Sequence, residues 1–365
     1  MKTARHFRLA LLSASVALAF AADISPAQAW KYKTLYKFMN GADGSVPNGG
    51  LLRNSATGNL YGVTERGGVP CDEEEGDRCG VVFKLAPDGT ETVLHAFTGG
   101  SDGAFPIGGL ANDDAGNLYG TTLEGGDSDR GTVFKLGSDG SYTLLHTFDD
   151  RHHDSLPRTR LVWDSASGKL YGTAGAAAFT LTPTGKYSIL HEFDESLGSL
   201  TLDGDHHIYG ASTFGGDPDC KCGFVFSLTP KGDETVLYEF TKKQVGYPNG
   251  PLVIGQGGAL YGGNAGPKNK GSFFRLTLGG KYHVLYRFDP LVFPRGDLAV
   301  DAAGAIYGST DGMGQEIIFQ INPDRSEQTL YSFENDLSPQ GVIMDEAGNL
   351  YGETDLPGTI FELVK

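Results

Sequence analysis

The sequence predicts an all-β protein, a seven-bladed β-propeller built from four-stranded antiparallel blades. Two observations carry that expectation. One unit recurs seven times, and the chain opens on the last strand of that unit and closes one strand short of it. The cleanest copy, Phe105 to Phe148, holds four short runs rich in apolar, β-branched and aromatic residues, separated by Gly, Asp, Asn and Ser clusters that mark turns. Its strands are expected at Gly109–Asn112 (A), Leu118–Thr122 (B), Thr132–Leu136 (C) and Tyr142–Phe148 (D). The A–B and C–D connections carry Asp-x-Gly or Asp-Gly, which suits a tight hairpin.

From the N-terminus, Met1–Ala29 reads as a Sec-type signal peptide. Lys2, Arg5 and Arg8 form a basic segment, Leu9–Ala22 an apolar one, and Ala27-Gln28-Ala29 a cleavage signal before Trp30. The apolar run is too short to span a membrane stably. The remainder, 30–365, is expected to be one domain, periplasmic or secreted, with no lipid or C-terminal anchor visible. The full chain has a formal net charge of −16, and losing Lys2, Arg5, Arg8 and Asp23 takes it to −18. Such a surface repels nucleic acid and anionic lipid, so neither is an expected partner.

The Tyr-Gly of strand B recurs at Tyr61, Tyr119, Tyr171, Tyr209, Tyr261, Tyr307 and Tyr351. The strand C aromatic recurs at Phe83, Phe134, Phe179, Phe226, Phe274, Phe319 and Phe361. Strand D ends at Phe38, Phe97, Phe148, Phe193, Phe240, Phe288 and Phe333. The lone first strand D, Lys33–Phe38, is expected to complete the last blade, which starts at Pro339, and so to close the ring and hide the sheet edges. Closed edges make a monomer the expected state.

Within six repeats the strand C and strand D Phe lie 14 residues apart, which fixes the C–D hairpin. From Tyr-Gly to the strand C Phe the spacing runs 22, 15, 8, 17, 13, 12 and 10. Variation is thus concentrated in the B–C loops, and function is expected on the face where B–C and D–A loops emerge.

The ordered motifs Tyr119-Gly-Thr-Thr, Gly131-Thr-Val-Phe-Lys-Leu and Leu145-His-Thr-Phe resemble the GloVer tandem repeat of choice-of-anchor proteins. The resemblance covers nearly all of 30–365. It implies an exported propeller-like repeat protein and carries no assigned chemistry.

Cys71 and Cys79 bracket the longest B–C loop, and Cys220 and Cys222 lie in that of the fourth repeat. In an exported chain each pair is expected to bridge within its own loop, with a thiol pair or metal ligation the alternative for Cys220 and Cys222. His95, His146 and His191 share a strand D position with Tyr36, Tyr238, Tyr286 and Tyr331, which points to ring packing with a hydrogen bond.

His152 and His153 differ, lying in a D–A loop with Asp154, Arg158 and Arg160 beside the shortest B–C loop. This third-blade notch is the candidate catalytic site, where His and Asp would act as acid, base or metal ligand and Arg would clamp an anion. Asp127 with Asp129 and Asp217 with Asp219 are weak candidates for Ca2+ or another divalent ion; neither continues into a full calcium loop, and no cofactor is expected.

Asn48, Arg158, Asn249, Arg295 and Gln340 each follow the Pro that introduces strand A, placing them as candidate ligand-binding residues around the channel mouth. The expected function is a non-enzymatic exported propeller that binds an extracellular glycan or protein on its B–C/D–A face. The alternatives are a metal-assisted polysaccharide or glycoside lyase or hydrolase at the notch, and a structural envelope protein.

Overall fold

The computed structural model describes residues 30–71, 78–149, 154–242, 247–248, 250–266, 270–312, 316–334, 337–355 and 358–365. The expected signal peptide, His152, His153 and Asn249 lie outside these. Among the described residues no helix is long and apolar enough to cross a membrane.

The second repeat forms strands at Leu110–Asn112, Leu118–Thr122, Thr132–Leu136 and Tyr142–Thr147, paired in an antiparallel meander. Its Tyr-Gly motif has a steric cause. A Cβ on Gly120 would fall 2.5 Å from Cζ of Phe134, so the strand C ring lies directly on the strand B backbone. The tyrosine before it reaches the A–B turn, where the Tyr119 hydroxyl donates to Asp113 Oδ2 at 2.8 Å. Burial disfavours the charge on Asp113, but hydrogen bonds from Asn117, Tyr119 and backbone N–H groups outweigh it and hold the carboxyl below its usual range. The same bond recurs as Tyr209–Asp203, Tyr307–Asp301 and Tyr351–Asp345.

Every strand D carries a register shift just before its His or Tyr, between Leu144 and His146 in the second repeat and between Thr34 and Tyr36 in the first strand. A bulge there bends the strand and re-aims the following ring. That ring meets the next repeat: His95 stacks on Tyr142 at 4.2 Å, His146 on Tyr187 at 3.9 Å, Tyr238 on Tyr282 at 4.7 Å and Tyr331 on Tyr32 at 4.4 Å. Beneath it, each strand D Phe packs against the strand C Phe of the following repeat, edge-on in pairs such as Phe97–Phe134 and Phe148–Phe179. The apolar core therefore occupies the wedges between consecutive repeats.

Lys31–Lys37 pairs antiparallel with Thr359–Val364, so the first strand completes the last sheet. The expectation of seven separate four-stranded blades is corrected by the hydrogen bonding, which joins the strands into six sheets. Five of them hold one repeat each. Four of these have four strands, and the sheet of the first repeat has five because Ser45–Pro47 adds to Leu60–Arg66. The remaining sheet has eight strands and contains the last two repeats, whose inner strands Phe293–Val300 and Pro339–Met344 pair in parallel at Asp297 and Gly341. Glycine permits the fusion, since a Cβ on Gly341 would lie 2.0 Å from the Asp297 backbone nitrogen and one on Gly296 2.0 Å from the Gln340 carbonyl oxygen.

Candidate functional site

The inner strands surround a central channel with two unlike halves. At the D–A end a cup of about 110 Å3 is lined by Asn48, Arg158, Gln340 and the backbones of Gly49, Gly50, Gly108 and Gly296. Toward the A–B end lies a wider space of about 410 Å3 with apolar walls that include Leu52, Ala111, Val162, Val253 and Ile343. Both halves are bounded by Arg160, Ser199, Pro251 and Asp297.

These four belong to one repeat position, the residue before the first Leu or Val of strand A, filled by Gly50, Gly109 and Gly341 elsewhere. Arg160 from the third repeat donates to Asp297 of the sixth at 2.7 Å and to the Gly49 carbonyl of the first at 2.8 Å, which places an ion pair across the channel waist. The glycines make room: a Cβ on Gly50 would fall 2.2 Å from Asp297 Oδ2 and 2.5 Å from Arg160 Nη2.

Behind the waist sits Glu353, only 1% exposed, at a strand B position that Thr121, Thr173 and Ser309 fill in other repeats. Those hydroxyls seal neighbouring repeats, for example Ser309 Oγ donating to the Pro339 carbonyl at 3.1 Å. Glu353 makes the equivalent join by accepting the Gly50 N–H at 2.8 Å. Burial pushes its carboxyl up to about 8; the nearby Asp297 and Asp355 add to the rise, while the Gly50 bond and Arg160 oppose it. Burial therefore favours the protonated form of Glu353.

A model of the Gloeobacter/Verrucomicrobia repeat matches residues 21–178 and again 174–362. The chain belongs to the Gloeobacter/Verrucomicrobia repeat family. No curated protein matches it in sequence. Among solved structures it is similar to virginiamycin B lyase from Staphylococcus aureus, at 14% identity and TM-score 0.69, covering 92% of this chain and 99% of that one. A catalytically inactive virginiamycin B lyase from the same organism, solved with quinupristin, gives TM-score 0.70 at 14% identity and the same coverage. A third likeness is to the extracellular domain of a protein from B. thetaiotaomicron described as a one-component system, at 14% identity and TM-score 0.64, covering 91% of this chain and 40% of that one. At these identities the likeness shows the propeller fold alone.

In this member of the Gloeobacter/Verrucomicrobia repeat family, Asn48, Arg158 and Gln340 come together at the cup. Arg158 is exposed and forms no ion pair among the described residues. Asn48 Nδ2 donates to Glu65 at 3.4 Å and Gln340 Nε2 to Asp355 at 3.2 Å. Arg295 is drawn aside, bound to Asp311, to Ser338 Oγ at 3.1 Å and to Asp355 at 4.0 Å. Asp154 is 3% exposed and accepts the Tyr187 hydroxyl at 2.6 Å, so it anchors its loop to strand D.

Cys71–Cys79 and Cys220–Cys222 are both bridged. Asp129 caps its own turn by accepting the Gly125 N–H at 2.8 Å, and Asp217 accepts the Asp219 N–H at 2.9 Å. Asp219 also lies 3.6 Å from Lys242, and Asp127 shares the turn of Asp129. Among the described residues no three His, Cys, Asp or Glu side chains converge as a metal set.

Sequence reasoning missed Asp297 and Glu353. Aligning the seven copies position by position carries the signal, because Arg160 and Asp297 are the only charged residues at the waist position and Glu353 the only one at its strand B position.

Proposed function

We propose that the protein is an exported propeller that works by binding a hydroxyl-rich ligand, a saccharide, in the cup at the D–A end of its channel. The observation that carries this reading is the convergence of Asn48, Arg158 and Gln340, from three different repeats, around a cup floored by the Arg160–Asp297 pair. Concave sites that combine a few placed polar groups with a rigid frame are suited to orienting a small polar molecule. The amide N–H groups of Asn48 and Gln340 are engaged by carboxylates, which leaves their carbonyl oxygens to accept from ligand hydroxyls. Arg158 adds a cationic fork for a ring oxygen or an acidic substituent. Binding is favoured over turnover because Asp154 Oδ2 holds the Tyr187 hydroxyl and Arg160 Nη2 holds Asp297, which gives both side chains a structural tie in place of a free position at the notch.

Isothermal titration with neutral and uronate-containing oligosaccharides tests the reading. Binding that weakens at least tenfold in both Arg158→Ala and Gln340→Ala, with thermal midpoints unchanged, is the expected result. Failure of every oligosaccharide to bind, or affinity indifferent to both substitutions, overturns it.

A further inference from the structure

At four of the seven junctions between repeats an outer ring pair closes the wedge, and the junction between the third and fourth repeats is one of three where a Glu takes the place of the second ring. The first position of strand D, which is Tyr142, Tyr187, Tyr282 and Tyr32 where the stacks form, is Glu91 and Glu327 at two other junctions and Glu234 here, where it is joined by a second change. His191 has no ring to lie on and meets Glu234 Oε2 at 3.5 Å instead. The B–C loop of the third repeat is also the shortest of the seven, with Phe179 only eight positions after Tyr171. Together these changes open a groove of about 420 Å3 on the fourth-repeat side of the third repeat.

Two features of its lining indicate what it takes. Phe193 and Phe224 contribute apolar surface, and Phe193 is the one strand D Phe that is not buried; its equivalents Phe97, Phe148 and Phe240 are at most 1% exposed. The polar lining is strongly acidic. Glu192, Asp194, Glu195 and Glu234 face a single lysine, Lys221, which lies 3.7 Å from Glu195, along with His191. Asp194 forms no ion pair among the described residues. Glu234 pairs with Leu228, four residues along the strand from Phe224, so the groove is about 13 Å long at the usual strand rise.

We propose that this groove is a docking site for a basic peptide segment of a partner protein. An arginine or lysine side chain lays its methylene stem on Phe193 and Phe224 and presents its cationic head to Glu234 and Asp194. Charge complementarity selects the occupant, because an acidic protein repels anionic partners and the groove gathers four carboxylates around an apolar floor. The site is separate from the channel cup and shares no lining residue with it.

The test is fluorescence anisotropy with a fluorescein-labelled Gly/Arg dodecapeptide, alongside a Gly/Glu peptide, at two salt concentrations. Glu234→Tyr installs the ring that other junctions carry and fills the groove, while Asp194→Asn/Glu195→Gln removes charge with little change of shape. The expected result is binding of the arginine peptide only, weakened by salt, reduced at least tenfold by each variant and unchanged by Arg158→Ala in the cup. Equal affinity for the parent and both groove variants would place the peptide on the general acidic surface and overturn the proposal, as would no binding at low salt. Should Glu234→Tyr fail to fold, the double variant decides alone.

Discussion

The junction between the second and third repeats and the junction between the third and fourth share their inner seal and differ in their outer one. In the first, Thr121 Oγ1 reaches the Thr159 carbonyl at 3.5 Å, and in the second Thr173 Oγ1 reaches the Gly198 carbonyl at 3.2 Å. On the outside, His146 and Tyr187 stack with planes 5° apart, while His191 faces a carboxylate. The Phe pair beneath responds: Phe148 and Phe179 meet edge-on at 61°, whereas Phe193 and Phe226 tilt to 44° and approach to 4.6 Å. The inner seals set the ring, and the outer seals are free to be traded for a surface.

The largest effect expected is at the Phe pairs. Phe148→Ala should cost about 3–5 kcal/mol in urea unfolding, as for a fully buried ring, whereas Phe193→Ala, half-buried at the open groove, should cost about 1–2 kcal/mol. Equal losses would mean the two junctions are packed alike.

The inner seal between the last and first repeats supplies the next effect, because there a carboxyl replaces the hydroxyl. Glu353 has a folded value of about 8 against an ordinary 4.5, so its contribution to stability is full below about pH 4.5 and disappears as pH rises toward 8. The urea midpoint should therefore fall between pH 5 and pH 8, by an amount worth on the order of a few kcal/mol. In Glu353→Gln, which keeps an acceptor for the Gly50 N–H, most of that slope should vanish.

Tyr187→Phe strips the hydroxyl from Asp154 and leaves a buried acceptor without its donor, at a cost of about 1–3 kcal/mol. The midpoint shift on urea unfolding measures it, and a shift under 0.3 kcal/mol would show that the bond contributes little. Smallest is Glu234→Tyr, expected to stabilise by about 0.5–1.5 kcal/mol by adding a ring stack on His191. Differential scanning calorimetry should show a rise in midpoint; a fall would mean that the wedge geometry itself differs there.

Much of the frame was legible because its signals are local. Alternating apolar runs, Asp-Gly turns and the recurring spacing of 14 placed the strands of the second repeat to within a residue at each end, and the offset of the termini assigned the first strand, expected at Lys33–Phe38 and found at Lys31–Lys37, to the last repeat. The fusion of the last two repeats was not legible, since it depends on how closely the backbones at Gly296 and Gly341 approach in space. The residue after each introducing Pro marked Asn48, Arg158 and Gln340 for the cup, but it marked Arg295 equally, and only the positions of Asp311 and Asp355 turn that side chain away. Arg160 was singled out for a notch on the loop face, yet its partner Asp297 lies 137 residues away, a separation at which pattern reading carries no geometry.

The pairing of the first strand with the last sets a clock on assembly. About 320 residues separate Lys37 from Thr359, so at a synthesis rate of ~5–20 residues per second Lys31–Lys37 waits tens of seconds for its partner to exist. Throughout that interval it is a bare edge able to recruit the wrong neighbour. Its sequence, KYKTLYK, sets Lys31, Lys33 and Lys37 along it, all still exposed once the ring has closed. Lysines along a strand edge oppose pairing with a wrong neighbour, and the physics holds for the nascent chain as it does for the finished one.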